Sequence, residues 1–215
     1  MKIKYLAHAS FLITSQDNTR IITDPYTVGQ GIKYGAIKEK ADIVTVTHSH
    51  GDHSNSKSIP GDPVIVQETG SRTVKGIKIK GIPVFHDEAQ GSKRGKNIVF
   101  CFEIDGLNLC HAGDLGHQLS PSQLAELGAV DILLIPVGGF FTIDAREASE
   151  VVKSINPRVV IPMHYKTSKA DYPIAPVDDF LKDKKNVKRS SASEMEFTKA
   201  NLPKGTEIVV LSPEL

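Results

Sequence analysis

The sequence predicts an α/β fold in which two β-sheets stack face to face with helices outside and a polar site lies between two similar halves. Three observations predict it. Short apolar runs of strand length dominate the 215-residue chain, and only a few helical patterns sit between them. Two segments repeat: Arg20–Asp24 parallels Leu107–Asp114, and Ala41-Asp42-Ile43-Val44 parallels Val130-Asp131-Ile132-Leu133. The stretch His48-Ser49-His50-Gly51-Asp52-His53 sets three imidazoles and a carboxylate directly after the β-branched run Ile43-Val44-Thr45-Val46.

Residues 3–13 read as a first strand, with Arg20–Asp24 as its partner across the polar turn Ser15–Asn18. Residues 26–40 have no clear period and read as a loop near the site. The strand Asp42–Thr47 delivers the His/Asp stretch, and Pro63–Val66 is another short buried strand. Thr73–Lys80 alternates and ends at Gly81; Ile82–Phe85 then leads into His86. The basic stretch Gly91–Lys96 is either a solvated loop or one that steers an anionic substrate. Asn97–Ile104 and Leu107–His111 form a hairpin about Asp105-Gly106, a type I′ signal, which sets Cys101 opposite Cys110. Reduced thiols are the expected state, with a disulfide the alternative.

Ser120 caps a helix with Pro121 at its first position, and Gly128 closes it. Asp131–Val137 is an apolar strand ending at Gly138-Gly139. Asp144–Asn156 is an amphipathic helix stopped by Pro157. Arg158–Met163 is a strand that delivers His164. Val177–Lys184 looks helical, Lys182–Arg189 reads as a solvated charge run, and Glu207–Leu211 closes the chain.

Composition bounds the rest. Apolar residues make up 40% and charged residues 24%, ordinary for a globular protein, so one domain spanning 1–215 is expected. A net charge of +1 demands neither nucleic acid nor an anionic membrane as partner. No apolar run reaches membrane-spanning length, and the alternating N-terminus lacks a signal-peptide core. The expectation is a cytoplasmic protein that takes a small-molecule substrate; its oligomeric state stays open.

Imidazoles and a carboxylate at the end of a buried strand suit transition-metal binding. His48-Ser49-His50-Gly51-Asp52-His53, a lone His86, Gly113-Asp114 and His164 together resemble the metallo-β-lactamase fold superfamily, and the resemblance covers nearly the whole chain. Ala7-His8-Ala9-Ser10-Phe11, Thr23-Asp24-Pro25, His111-Ala112-Gly113-Asp114 and Pro162-Met163-His164-Tyr165 are similar to its small stand-alone branch, the L-ascorbate-6-phosphate lactonase-like hydrolases.

The resemblance implies an αββα four-layer sandwich and a centre of two divalent metal ions. Zinc is the first expectation, and manganese or iron also suits the donors. His48, His50 and His86 would hold one ion, Asp52, His53 and His164 the second, and Asp114 would bridge them. A water activated as hydroxide would then attack an ester, lactone or phosphodiester.

His111 is an alternative to His86, which is preferred because Ala112-Gly113 is needed to turn Asp114 inward. His8, Asp24 and His111 then fit an outer ring that orients the ligands. Asp52, Asp114 and His117 are candidates for the chemistry itself, His117 as a pocket acid or merely a surface histidine. Tyr165 and Lys166 follow a ligand and could contact a substrate anion; Phe141 could wall the pocket or pack in the core. The competing functions are a nuclease, disfavoured by the missing RNA-binding arm and basic charge, a non-haem iron redox enzyme, and a metal-binding scaffold without turnover.

Overall fold

A computed structural model describes residues 1–215 as two mixed β-sheets with few helices. The first sheet opens with β1 (Lys2–Ala7), β2 (Ser10–Thr14), β3 (Arg20–Thr23), β4 (Ile43–Thr45) and β5 (Val64–Val66). β1, β2 and β3 are antiparallel, whereas β3, β4 and β5 run parallel. The single strand expected over residues 3–13 is in fact the pair β1 and β2. The chain reverses at His8-Ala9, where His8 takes φ +57°. Alternation runs through this turn without glycine, proline or asparagine, so periodicity alone does not reveal it.

The second sheet begins as an antiparallel meander of β6 (Gly70–Val74), β7 (Ile77–Phe85), β8 (Lys96–Ile104) and β9 (Leu107–His111). The strand expected over Thr73–Lys80 is divided here. Lys75 (φ +50°) and Gly76 (φ +77°) make a two-residue turn, so Thr73 pairs back onto Lys78. Asp105 and Gly106, both at positive φ, form the expected hairpin turn, and Cys101 faces Cys110 with both thiols free.

Parallel strands β10 (Ile132–Pro136) and β11 (Val159–Met163) continue this sheet beyond β9. β12 (Val187–Arg189) lies at its far edge, within the expected charge run. β13 (Glu194–Glu196), too short and acidic to read from sequence, crosses to pair with β1 in the first sheet. β14 (Glu207–Val210) inserts between β11 and β12.

The helices are α1 (Pro121–Leu127), α2 (Ala145–Ile155) and α3 (Val177–Leu181). Ser120 with Gln123, and Asp144 with Glu147, form reciprocal capping boxes that fix the first two starts. Asn156 ends α2 in the left-handed region. α3 ends three residues before the expected Lys184.

One large core joins the facing sides of the two sheets and takes in Leu127, Val151 and Phe180 from the helices. The opposite face of the six-stranded sheet carries no α-helix. The irregular segment after Asp24 covers it, burying Tyr26, Ile32, Tyr34 and Ile37 against Leu12, Ile22 and Val44. That loop is therefore anchored by its own aromatic rings. No helix is long and apolar enough to cross a membrane.

The repeated segments occupy matching places. β3 beside β4 in one sheet and β9 beside β10 in the other are each adjacent parallel pairs. Asp24 follows β3 and Asp114 follows β9, so the polar residues gather beyond the carboxyl ends of parallel strands.

Candidate metal centre

Four separate strand ends supply the cluster. Thr47–His53 follows β4, His86 follows β7, Asp114 follows β9 and His164 follows β11. The turn at Gly113 aims Asp114 inward. Its φ is +55°, and a Cβ there would stand 2.5 Å from Asn97 Oδ1 and 2.7 Å from the Thr47 side chain, so only glycine fits. His164 also sits at positive φ (+51°), a strained conformation of the kind found at ligand-holding positions.

Potential ligand atoms within 4.8 Å of one another form two groups at the cluster, His48, His50 and His86, and His8, Asp52, His53 and His164; a third, Asp24 with His48 and His53, links the two from behind. Asp114 stands between them. Its Oδ2 lies 3.1 Å from His86 Nε2, 3.5 Å from His164 Nε2 and 3.8 Å from His48 Nε2; its Oδ1 lies 3.3 Å from His53 Nε2.

A hydrogen-bond chain behind the cluster fixes which nitrogens face inward. Asp24 is fully buried and accepts from the Thr47 amide (2.8 Å), from Thr47 Oγ1 (2.6 Å) and from His53 Nδ1 (2.9 Å). Because the Thr47 hydroxyl proton goes to Asp24, its oxygen accepts from His48 Nδ1 at 3.1 Å. One carboxylate thus orients two histidines and leaves Nε2 of each free. His8 Nε2 donates to Asp52 Oδ2 at 3.2 Å. His111 Nε2 donates to the Ala9 carbonyl (2.8 Å), while its Nδ1 accepts from the Gly113 amide (3.3 Å). Both nitrogens of His111 are committed to backbone, so it buttresses the turn that presents Asp114.

The electrostatics divide the histidines. Burial pushes His48 and His164 down to about 3, and it also lowers His50. Burial opposes charge on His53 too, but Asp114 and Asp24 flank it and raise it well above its ordinary value. Burial likewise opposes ionisation of Asp114, yet His164 and His53 hold its carboxyl well below the usual range.

The donor set fits a bound cation. Eight buried side-chain polar atoms have no hydrogen-bond partner, and six belong here: His8 Nδ1, His48 Nε2, His53 Nε2, His86 Nδ1, Asp114 Oδ1 and His164 Nδ1. On His86 and His164 it is Nε2 that faces Asp114, so His48 Nε2, His53 Nε2 and Asp114 Oδ1 are the unpaired atoms turned toward the centre of the cluster. Unpaired buried polar atoms are rare, and these three mark a place that suits a group able to supply the missing bonds.

Above the cluster is a cavity of about 300 Å³, lined by His50, Asp52, His86, Lys93, Arg94, Asp114, Phe141, His164 and Tyr172. A larger one, about 600 Å³, opens over β6 to β9 beside Cys101 and Cys110, but none of the clustered histidines lines it. Phe141 lies along the cavity, and Tyr172 is a lining residue the sequence did not signal.

Three expectations are corrected. His117 accepts from the Phe85 amide (3.0 Å) and donates to the Gln118 carbonyl (2.7 Å), so neither nitrogen is free to act as a pocket acid. Tyr165 is buried beside the Tyr5 ring, in the core. Lys166 Nζ donates to the Tyr172 carbonyl at 2.7 Å, bracing the loop that carries Tyr172, and does not line the cavity.

Comparison with known proteins agrees with this geometry. The β-lactamase superfamily domain matches residues 2–164. A UPF0173 metal-dependent hydrolase from Thermococcus onnurineus is 32% identical over 193 residues, covering 78% of this chain and 85% of that protein. A Thermotoga maritima protein described as a Zn-dependent hydrolase of the metallo-β-lactamase superfamily superposes with TM-score 0.82. It shares 40% identity over 98% of this chain and 97% of its own. CmlA, a diiron β-hydroxylase from Streptomyces venezuelae, is similar in fold alone, with TM-score 0.54 and 15% identity over 76% of this chain and 44% of that one.

Proposed function

The chain belongs to the β-lactamase superfamily domain family and is a metal-dependent hydrolase of the metallo-β-lactamase superfamily; from that premise we propose that it cleaves a small anionic ester, lactone or phosphodiester at a binuclear His/Asp centre. His48, His50 and His86 would hold one divalent ion, and Asp52, His53 and His164 the other, with Asp114 shared. Zinc is the ion expected, and manganese or iron suits the same donors. Bound there, the ions supply Lewis acidity, acidifying a water and stabilising charge on the leaving oxygen.

The observation that carries this reading is the position of Asp114, whose oxygens lie 3.1 to 3.8 Å from Nε2 of His86, His53, His164 and His48, with His48 Nε2, His53 Nε2 and Asp114 Oδ1 buried there without hydrogen-bond partners. The protein's own contribution is orientation. Asp24 holds His53 directly and His48 through Thr47, and His8 holds Asp52. Phe141 and Tyr172 give the cavity an apolar wall, and Lys93 and Arg94 favour an anionic substrate. A cavity of about 300 Å³ is sized for a small molecule and supports that reading over a polynucleotide.

Turnover tests the reading. The metal-replete protein is assayed with a lactone panel, neutral esters and bis-p-nitrophenyl phosphate. Hydrolysis that is lost with chelator and restored by zinc or manganese is the expected result, and no hydrolysis of any member would contradict it.

Metal uptake should also release a proton. His53 binds its proton tightly between Asp24 and Asp114, so at neutral pH the ion must displace it. Lower pH strengthens the proton's competition, and metal affinity should fall as pH falls. Titration calorimetry in buffers of different ionisation enthalpy should count about one proton per chain from this group. Proton-free binding would show that His53 is not displaced.

A further inference from the structure

We propose that Arg94 is a specificity-determining residue that reads a carboxylate or phosphate at the end of the substrate remote from the scissile bond, and that Asp87 positions it. This rests on the hydrolase reading above. The basic stretch Gly91–Lys96 is ordered rather than loosely solvated. Asp87, immediately after His86, is buried and accepts four backbone N–H groups: Ala89 (2.8 Å) and Gly91 (2.9 Å) on Oδ1, Lys93 (3.0 Å) and Arg94 (2.7 Å) on Oδ2. The loop is wound around an internal carboxylate and set against a residue of the metal cluster.

Lys93 and Arg94 both line the cavity, but they differ. Lys93 is exposed and paired with Glu88, which neutralises it. Arg94 is half-buried, and no carboxylate lies within 4.0 Å of its guanidinium, whereas Arg146 and Arg189 each have one. Its polar side-chain contact is Nη2 donating to the Phe140 carbonyl at 2.9 Å, which leaves most of its five N–H donors unused. The guanidinium stands over the Phe141 ring, 5.4 Å from its centroid.

The surroundings add a second requirement. Phe140 takes φ +61° and is 63% exposed, so a strained backbone holds its carbonyl on Arg94 and the residue at the surface. That ring packs edge-on against Phe141, with centroids 4.7 Å apart, and Phe141 packs against Tyr172 at 5.8 Å. An unpaired, forked cation framed by aromatic rings fits an anion carried on an apolar spacer, with the ester at the other end reaching the metal cluster.

The test compares 4-nitrophenyl esters of one acyl length that end in a methyl group, a carboxylate or a phosphate. The readout is the ratio of kcat/KM for the anionic ester to that for the neutral one. Arg94→Met should lower this ratio roughly 10- to 100-fold, the worth of a charge-assisted hydrogen-bonded pair. The loss should fall mainly on KM. Arg94→Lys separates the sources: a point charge keeps most of the ratio for phosphate and little of it for carboxylate. Asp87→Asn should lower the same ratio, and should add nothing further in the Arg94→Met background, because Asp87 acts through Arg94.

An unchanged ratio in Arg94→Met would overturn the proposal. If the unmodified protein hydrolyses none of these esters, the hydrolase reading is judged by the lactone and phosphodiester assays above, and calorimetric binding of 3-phenylpropionate to the metal-replete protein decides the role of Arg94. Weakening by about tenfold or more in Arg94→Met sustains the clamp, and equal binding overturns it.

Discussion

Asp114→Asn should lower turnover by more than roughly 100-fold, because residues that only orient metal ligands already cost about 10- to 100-fold when replaced. Asp114 is the one carboxylate in contact with both groups of histidines, with oxygens 3.1 to 3.8 Å from His86, His164, His53 and His48. Asparagine keeps the shape but removes the charge that would let two cations share the space. The backbone amide of residue 114 would still donate to Asn97 Oδ1, so the turn should persist. Circular dichroism should therefore be unchanged while activity and bound metal are lost together. Full activity in this variant would exclude a bridging role.

Asp24→Ala should be the most destabilising change at the site, although Asp24 touches no substrate. It is fully buried and accepts three hydrogen bonds, two from Thr47 and one from His53. Removing it strands those donors and leaves the buried His53 without one of the two carboxylates that stabilise its charge. Breaking a buried pair in this way costs about 3–5 kcal/mol. Alanine must also adopt φ +38°, which adds strain. Metal affinity should fall about 10- to 100-fold as well, because His48 and His53 lose the chain that fixes their tautomers. Urea denaturation and competitive metal titration measure the two effects. A stability loss below about 1 kcal/mol would mean that Asp24 is not the anchor described.

The cluster was legible because much of it is local. Three histidines and an aspartate within one loop need no tertiary information, and His86, Asp114 and His164 each follow a recognisable strand. The choice of His86 over His111 could be argued from the turn at Gly113, and His111 indeed spends both nitrogens on backbone. The supporting residues were harder. Tyr165 and Lys166 adjoin a clustered histidine in sequence, but the left-handed turn at His164 sends the chain away from the cavity and neighbouring side chains diverge. Tyr172 reaches the cavity from a later loop by long-range packing that leaves no periodic signal. The reversal at His8 was hidden because alternation continues through a turn that lacks the usual residues, whereas at Lys75-Gly76 the glycine was a turn signal that the alternation of Thr73–Lys80 masked.

The most direct measurement is elemental analysis of the protein purified without chelator and equilibrated with zinc or manganese. The account predicts close to two divalent ions per chain, falling in Asp114→Asn. A chain that holds no ion under these metal-replete conditions, or one that holds a single ion unaffected by the Asp114 change, would contradict the binuclear centre.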